Sequence, residues 1–282
     1  MRLASSFIRA LADPDVGAKH SHRNLCFLDY FNLGMLCPKT CNAFSFNNNY
    51  GKKMSKPYQN IPISECNEPL VAIPDEFFKI NPHPYISLGA PYGDRSPFFV
   101  RQGLLEKLQK SQAYLQTICP NYQIAIFDAY RPVPVQQFMV DYSFAQLAES
   151  KDLEVKNLTE KQKNSLMADV MKFWAVPSHD PKMPPPHSTG AAIDVTLFDA
   201  DLQEVDMGSP IDEISDRSMP NYFASFRNAQ AVEFNRDREL LNQVMTYSGF
   251  CRHPNEWWHF SYGDQLWAWI SEKKLAIYGG VL

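Results

Sequence analysis

Apolar residues at Leu104, Leu105, Leu108, Leu115 and Ile118 recur at helical spacing, which predicts an amphipathic helix over about 101–118. Pro120-Asn121 ends it. The run Tyr122 to Phe127 then reads as a buried strand, with Asp128-Ala129-Tyr130-Arg131-Pro132 at its exit. Pro132 and Pro134 can open a second helix over about 133–149. A charged stretch, 150–164, leads into another helix ending near Trp174. A loop dense in proline (Pro177, Pro181, Pro184, Pro185, Pro186) delivers His187. Ala191 to Phe198 alternates as a strand, and Asp199-Ala200-Asp201 reads as a turn into a second strand over about 202–206. Residues 208–230 are polar and irregular. A helix over about 236–247 stops at Gly249, Glu256 to Tyr262 has the look of a strand, and Leu266 to Leu275 a closing helix. Upstream, 54–100 is broken into extended segments and turns by Pro62, Pro69, Pro74 and Pro82. Helices and hairpins mix without regular strand–helix alternation, which predicts an α+β fold: an antiparallel sheet with flanking helices.

The chain has 282 residues, 45% apolar and 21% charged, as expected of an ordinary globular protein. A formal net charge of −4 argues against nucleic acid or an anionic membrane as the main partner. No apolar run approaches the roughly 18–20 residues of a membrane helix. Cys26, Cys37, Cys41, Cys66, Cys119 and Cys251 are scattered, which reads as free thiols in a reducing compartment. Cys37-x-x-x-Cys41, with His20, His22 and Cys26 nearby, loosely outlines a second zinc site, but no further ligand pair follows at finger-like spacing. Residues 1–53 show little periodicity and no clean signal peptide. They are expected to be a mobile extension, or to precede a true start at Met54, with the functional domain spanning 54–282. A cytoplasmic location is expected, a periplasmic one being the alternative.

Chemistry gathers in three places. His187 and Asp194 are seven residues apart with Gly190 between them, so His187 can sit on a bend and Asp194 on the following strand, both aimed at one metal. Glu256-Trp257-Trp258-His259 adds a second imidazole and another carboxylate. A spacing of three reverses faces on a regular strand, so a bend must bring Glu256 and His259 together. Two imidazoles and a carboxylate leave a fourth position open, the pattern of a catalytic zinc rather than a structural one. Arg131 cannot act as a base and is suited to holding developing negative charge, with Asp128 to orient it. Taken singly, these residues also fit a loop histidine, an aromatic core cluster and a structural Asp128–Arg131 pair.

Together the segments resemble the D-alanyl-D-alanine dipeptidase family. The matching text is Asp128 to Pro132, His187-x6-Asp194, Met207-Gly208-Ser209-x-x-Asp212, and Glu256 to His259, in that order. The resemblance implies a single domain of the zinc D,D-peptidase type holding one Zn2+. It implies that His187, Asp194 and His259 bind the metal, that Glu256 is general base and acid, and that Arg131 stabilises the tetrahedral intermediate. Asp212 stands where the family holds the substrate's ammonium, and Tyr85 matches an aromatic of the substrate pocket. The implied reaction is hydrolysis of D-Ala-D-Ala to two D-alanines. One departure is Pro185, which stands where the family commonly has a substrate-contacting Ser. A zinc D,D-carboxypeptidase or endopeptidase acting on peptidoglycan peptides, and a non-catalytic zinc-dependent binding module, are the competing readings.

Overall fold

The computed structural model describes residues 56–281. The extension 1–53, the start at Met54 and the cluster around Cys37 and Cys41 lie outside the described residues.

The chain enters through a short 3-10 turn, Pro57–Asn60, and then forms β1 (Leu70–Ala72), β2 (Phe78–Lys79), the single-turn α1 (Pro84–Ser87) and β3 (Phe99–Arg101). After these come α2 (Gln102–Ile118), β4 (Gln123–Asp128), α3 (Val133–Ser150), α4 (Glu160–Val170) and β5 (Ala192–Phe198). The last elements are α5 (Ala229–Tyr247), β6 (Cys251–Arg252), β7 (His259–Ser261) and α6 (Gln265–Ile270). β1 and β3 pair as a small antiparallel ribbon, and the main sheet runs β2-β4-β5-β7-β6. Within it only β2 and β4 run parallel. This is the α+β architecture expected.

The sheet is covered on both faces. Ile124, Ile126, Ile193, Val195 and Leu197 face a core shared with Leu104, Leu108 and Leu115 of α2 and Leu241, Val244 and Met245 of α5. Ala125 and Phe127 face Val135, Met139 and Val140 of α3 and Leu166, Met167 and Val170 of α4. Every residue of β5 is buried, which explains its long apolar run. Leu108 is fully buried, whereas Ile118 at the end of the same helix is 40% exposed. Leu108→Ala is therefore expected to lower the unfolding free energy by about 2–5 kcal/mol. Ile118→Ala is expected to shift it by about 0.5 kcal/mol or less. Denaturant midpoints at unchanged m-value check both.

Four expected boundaries differ. The closing helix expected to run to Leu275 ends at Ile270. The strand over 202–206 is absent; only Glu204 bridges to Phe198. Asp199 Oδ1 accepts from the backbone N–H groups of Asp201 and Gln203, each at 2.9 Å, and this holds the segment as a turn. α5 starts at Ala229 rather than 236, because Asn228 caps it by accepting from Ala231 N. The strand expected from Glu256 shrinks to His259–Ser261, because the chain bends at Trp257 and Trp258.

Candidate active site

The proline-dense loop ends in a 3-10 turn, Pro186–Thr189, closed by Gly190 at φ 70°. A Cβ at Gly190 would run into the Leu70 side chain, so this left-handed position suits glycine twice over. The turn is laced to the end of β4: Ser188 Oγ donates to Arg131 O at 2.7 Å, and Arg131 N donates to His187 O at 3.2 Å. His187 Nδ1 lies 2.7 Å from Ala129 O. A carbonyl only accepts, so Nδ1 carries the hydrogen and Nε2 is left with its lone pair.

Asp194 and His259 are cross-strand neighbours on β5 and β7. Asp128 reaches the same face by a bulge. Register runs Ile126↔Val195 and then Asp128↔Asp194, two steps on β4 against one on β5. Strict alternation would have put Asp128 on the Ile126 side; the extra residue re-aims it. Asp128, Asp194 and His259 therefore line up across three adjacent strands, and the loop hangs His187 above them.

His187 Nε2, His259 Nδ1 and the Asp194 carboxylate converge. The nitrogens are 3.0 Å apart, His259 Nδ1 is 3.0 Å from Asp194 Oδ1, and His187 Nε2 is 3.2 Å from Asp194 Oδ2. On its other side His259 Nε2 lies 3.3 Å from Ser261 Oγ, which donates to Asp264 Oδ2 at 2.9 Å. Ser261 thus spends its hydrogen on Asp264 and accepts from His259 Nε2, which leaves the lone pair of His259 on Nδ1. Two imidazole lone pairs and a carboxylate facing one another repel unless a cation sits among them. Tetrahedral zinc with bonds of 2.0–2.1 Å requires ligand atoms about 3.3 Å apart, close to the spacing present. The donor set therefore fits zinc, and all three residues are buried.

Around this triad the charges are dense. Glu256 Oε2 is 3.9 Å from His259 Nδ1, and its Oε1 is 3.4 Å from His253 Nδ1. Burial, with Asp194 and Asp212 nearby, pushes the Glu256 pKa well above the ordinary glutamate value. Trp257 and Trp258 are buried edge to face, and Trp257 Nε1 donates to Ser209 Oγ at 3.0 Å. Ser209 also accepts from the buried Arg238, whose guanidinium donates to Met207 O and Met219 O. Arg238 thus ties the loop carrying Asp212 to the segment carrying Glu256.

The Arg131 guanidinium lies about 5 Å from the ring centroids of both Tyr85 and Trp174. Its Nε donates to Asp128 Oδ2 at 2.9 Å, Nη1 to Gln136 Oε1 at 2.9 Å, and Nη2 reaches Asp194 Oδ2 at 3.3 Å. Burial opposes its charge, but Tyr85, Asp128 and Asp194 raise its pKa above the usual arginine value. Tyr85 OH accepts from Arg131 Nη2 at 3.2 Å and donates to Asp212 Oδ2 at 2.6 Å. Burial and the charge of Asp194 push Asp212 up to about 7. A small cavity opens onto these groups, and Arg131, His187, Asp194, Asp212, Glu256 and His259 all line it. Asp128 stands behind Arg131.

The structure thus brings together Arg131, His187, Asp194, Asp212, Glu256 and His259 around one cavity, with Asp128 and Tyr85 bonded to Arg131. Sequence reasoning missed several others. Lys56 and His253 line the cavity, Gln136 holds Arg131, and Ser261 with Asp264 fixes the tautomer of His259. His253 had one legible signal, its place three residues before Glu256. Lys56 had none.

The D-Ala-D-Ala dipeptidase profile of the M15 peptidases matches residues 79–275. A D-alanyl-D-alanine dipeptidase of Synechocystis sp. is 48% identical over 239 residues, covering 80% of this chain and 97% of that protein. One of Enterococcus faecalis is 30% identical over 157 residues, covering 55% of this chain and 69% of that protein. Among solved structures, a variant of the vancomycin-resistance D,D-pentapeptidase VanY with Zn(II) aligns over 76% of this chain and 90% of its own, at 16% identity and a TM-score of 0.41.

Proposed function

The chain belongs to the D-Ala-D-Ala dipeptidase family of zinc metallopeptidases, and from that premise we propose that His187, Asp194 and His259 hold its zinc, while Glu256, Arg131 and Asp212 act on the dipeptide. The observation that carries this reading is the convergence of the two imidazole lone pairs and the Asp194 carboxylate, with the Glu256 carboxylate 3.9 Å from His259. The catalytic unit is taken as 54–282.

Zinc in this site supplies Lewis acidity and lowers the pKa of water to roughly 7. Glu256 takes the proton from the attacking water and gives it to the leaving amine nitrogen; burial and the nearby Asp194 and Asp212 raise its pKa, which strengthens it as a base. Arg131, fixed by Asp128 and Gln136, offers its remaining guanidinium N–H to the oxygen on which charge develops. Asp212, set by Tyr85, receives the substrate's ammonium. His187 and His259 stay oriented through Ala129 O and the Ser261–Asp264 pair.

Arg131→Lys keeps a charge but loses the planar fork that bonds Asp128, Gln136 and Asp194 at once. It is expected to lower kcat about 100- to 1000-fold with zinc retained, as measured by steady-state kinetics with metal analysis.

Release of D-alanine from free D-Ala-D-Ala tests the assignment. Faster cleavage of a cell-wall pentapeptide would favour the carboxypeptidase or endopeptidase reading, and binding without turnover the non-catalytic one. Among the described residues no helix is long and apolar enough to cross a membrane. A cytoplasmic location is supported by Cys66, Cys119 and Cys251, which are free thiols suited to a reducing compartment.

A further inference from the structure

We propose that Lys56 is a specificity residue of this site, the cation that takes the terminal carboxylate of the dipeptide. The proposal rests on the dipeptidase reading above and adds a residue to it.

Lys56 lines the same cavity as Glu256, Asp212 and the metal-binding triad, although it lies far from all of them in sequence. Its backbone is fixed. Lys56 N donates to Gln59 Oε1 at 2.8 Å, and Gln265 Nε2 on α6 donates to the carbonyls of Gln59 and Ile61. The segment 56–61 is thereby pinned over the site. The Lys56 ammonium is half-buried and donates to Met171 O at 2.7 Å. An ammonium has three N–H donors, so this contact leaves two for a ligand. Burial pushes its pKa below the usual lysine value, and the Glu256 carboxylate opposes that shift.

The other cation of the cavity has a different task. The Arg131 guanidinium gives four of its five N–H groups to Asp128, Gln136, Asp194 and Tyr85, and the one that remains serves the oxygen on which charge develops. The segment that enters the site ahead of His187 is Pro184-Pro185-Pro186, which offers no side-chain donor to a carboxylate. A dipeptide is a zwitterion with its charges roughly 7 Å apart when extended. Asp212 is suited to one end, and Lys56 supplies the missing charge for the other. A lysine that requires a free carboxylate next to the scissile bond also explains how the site would favour dipeptides over peptides continuing at that end.

The test compares D-Ala-D-Ala with its C-terminal amide, which lacks the carboxylate charge, in wild type, Lys56→Met and Lys56→Arg. Wild type is expected to prefer the free acid. In Lys56→Met the acid-over-amide ratio of kcat/KM is expected to collapse about 10- to 100-fold, as for loss of a charged hydrogen bond. In Lys56→Arg it should be largely restored. Equal losses on both substrates in Lys56→Met would mean that Lys56 only tethers its segment to Met171, and the proposal would fall. A wild type indifferent to the carboxylate would also overturn it while leaving the dipeptidase reading intact. A wild type that cleaves neither substrate would overturn both.

Discussion

Glu256→Gln is expected to stop turnover of D-Ala-D-Ala, with a fall in kcat of at least about 100- to 10,000-fold, while the protein still binds zinc. The substitution preserves shape and removes only the ability to accept a proton. Glu256 lies beside His259, but its carboxylate is outside the tight group made by His187 Nε2, His259 Nδ1 and Asp194. Zinc content should therefore not change. Stability should not fall either, because the charge removed is buried and its neighbours Asp194 and Asp212 repel it. Kinetics, elemental analysis and a thermal melt on one preparation check all three. Retained turnover would remove Glu256 from the mechanism. Loss of zinc would make it a ligand rather than a base.

His187→Ala is expected to abolish both zinc binding and activity. Of the donors, His187 is the one supplied by a loop, and its Nε2 stands 3.0 Å from His259 Nδ1 and 3.2 Å from Asp194 Oδ2. Removing it leaves two protein donors where a catalytic zinc takes three. Because metal that binds only the native state adds directly to stability, zinc should raise the Tm of wild type and leave that of His187→Ala unchanged. The same comparison with a chelator separates metal loss from misfolding: chelated wild type should match the variant in activity and recover when zinc is restored. A His187→Ala protein that keeps zinc and activity would sink the ligand assignment.

The legibility of this chain in sequence was uneven, and for physical reasons. α2 and β4 were legible because burial imposes its period on the apolar positions; Leu104, Leu108 and Leu115 are fully buried, as are Ile124 and Ile126. The first turns of α5 were not, since its early residues bury little beyond Ala231. The strand over 202–206 failed because Asp199 makes local side-chain bonds that the alternation pattern does not register. The bend that separates Glu256 from β7 had to be invoked from chemistry, and the chain does bend there at Trp257 and Trp258.

The sequence by itself determined the donor types, their order and the local devices that present them: the prolines and Gly190 before Asp194, the strand ending in Asp128, and the carboxylate and imidazole flanking two tryptophans. These are short-range properties of neighbouring residues. Only the tertiary structure decided which groups meet. Strand register is a non-local hydrogen-bond choice, and it set Asp194 opposite His259. A one-residue bulge turned Asp128 onto that same face, against the alternation of its own strand. A hydrogen bond to the distant Ala129 chose the free nitrogen of His187, whereas Ser261, two residues along the same strand, chose that of His259. Lys56 entered the cavity because Gln265, more than 200 positions away, holds its segment there. A charge on an otherwise featureless stretch becomes part of a site only when a remote contact fixes where it lies.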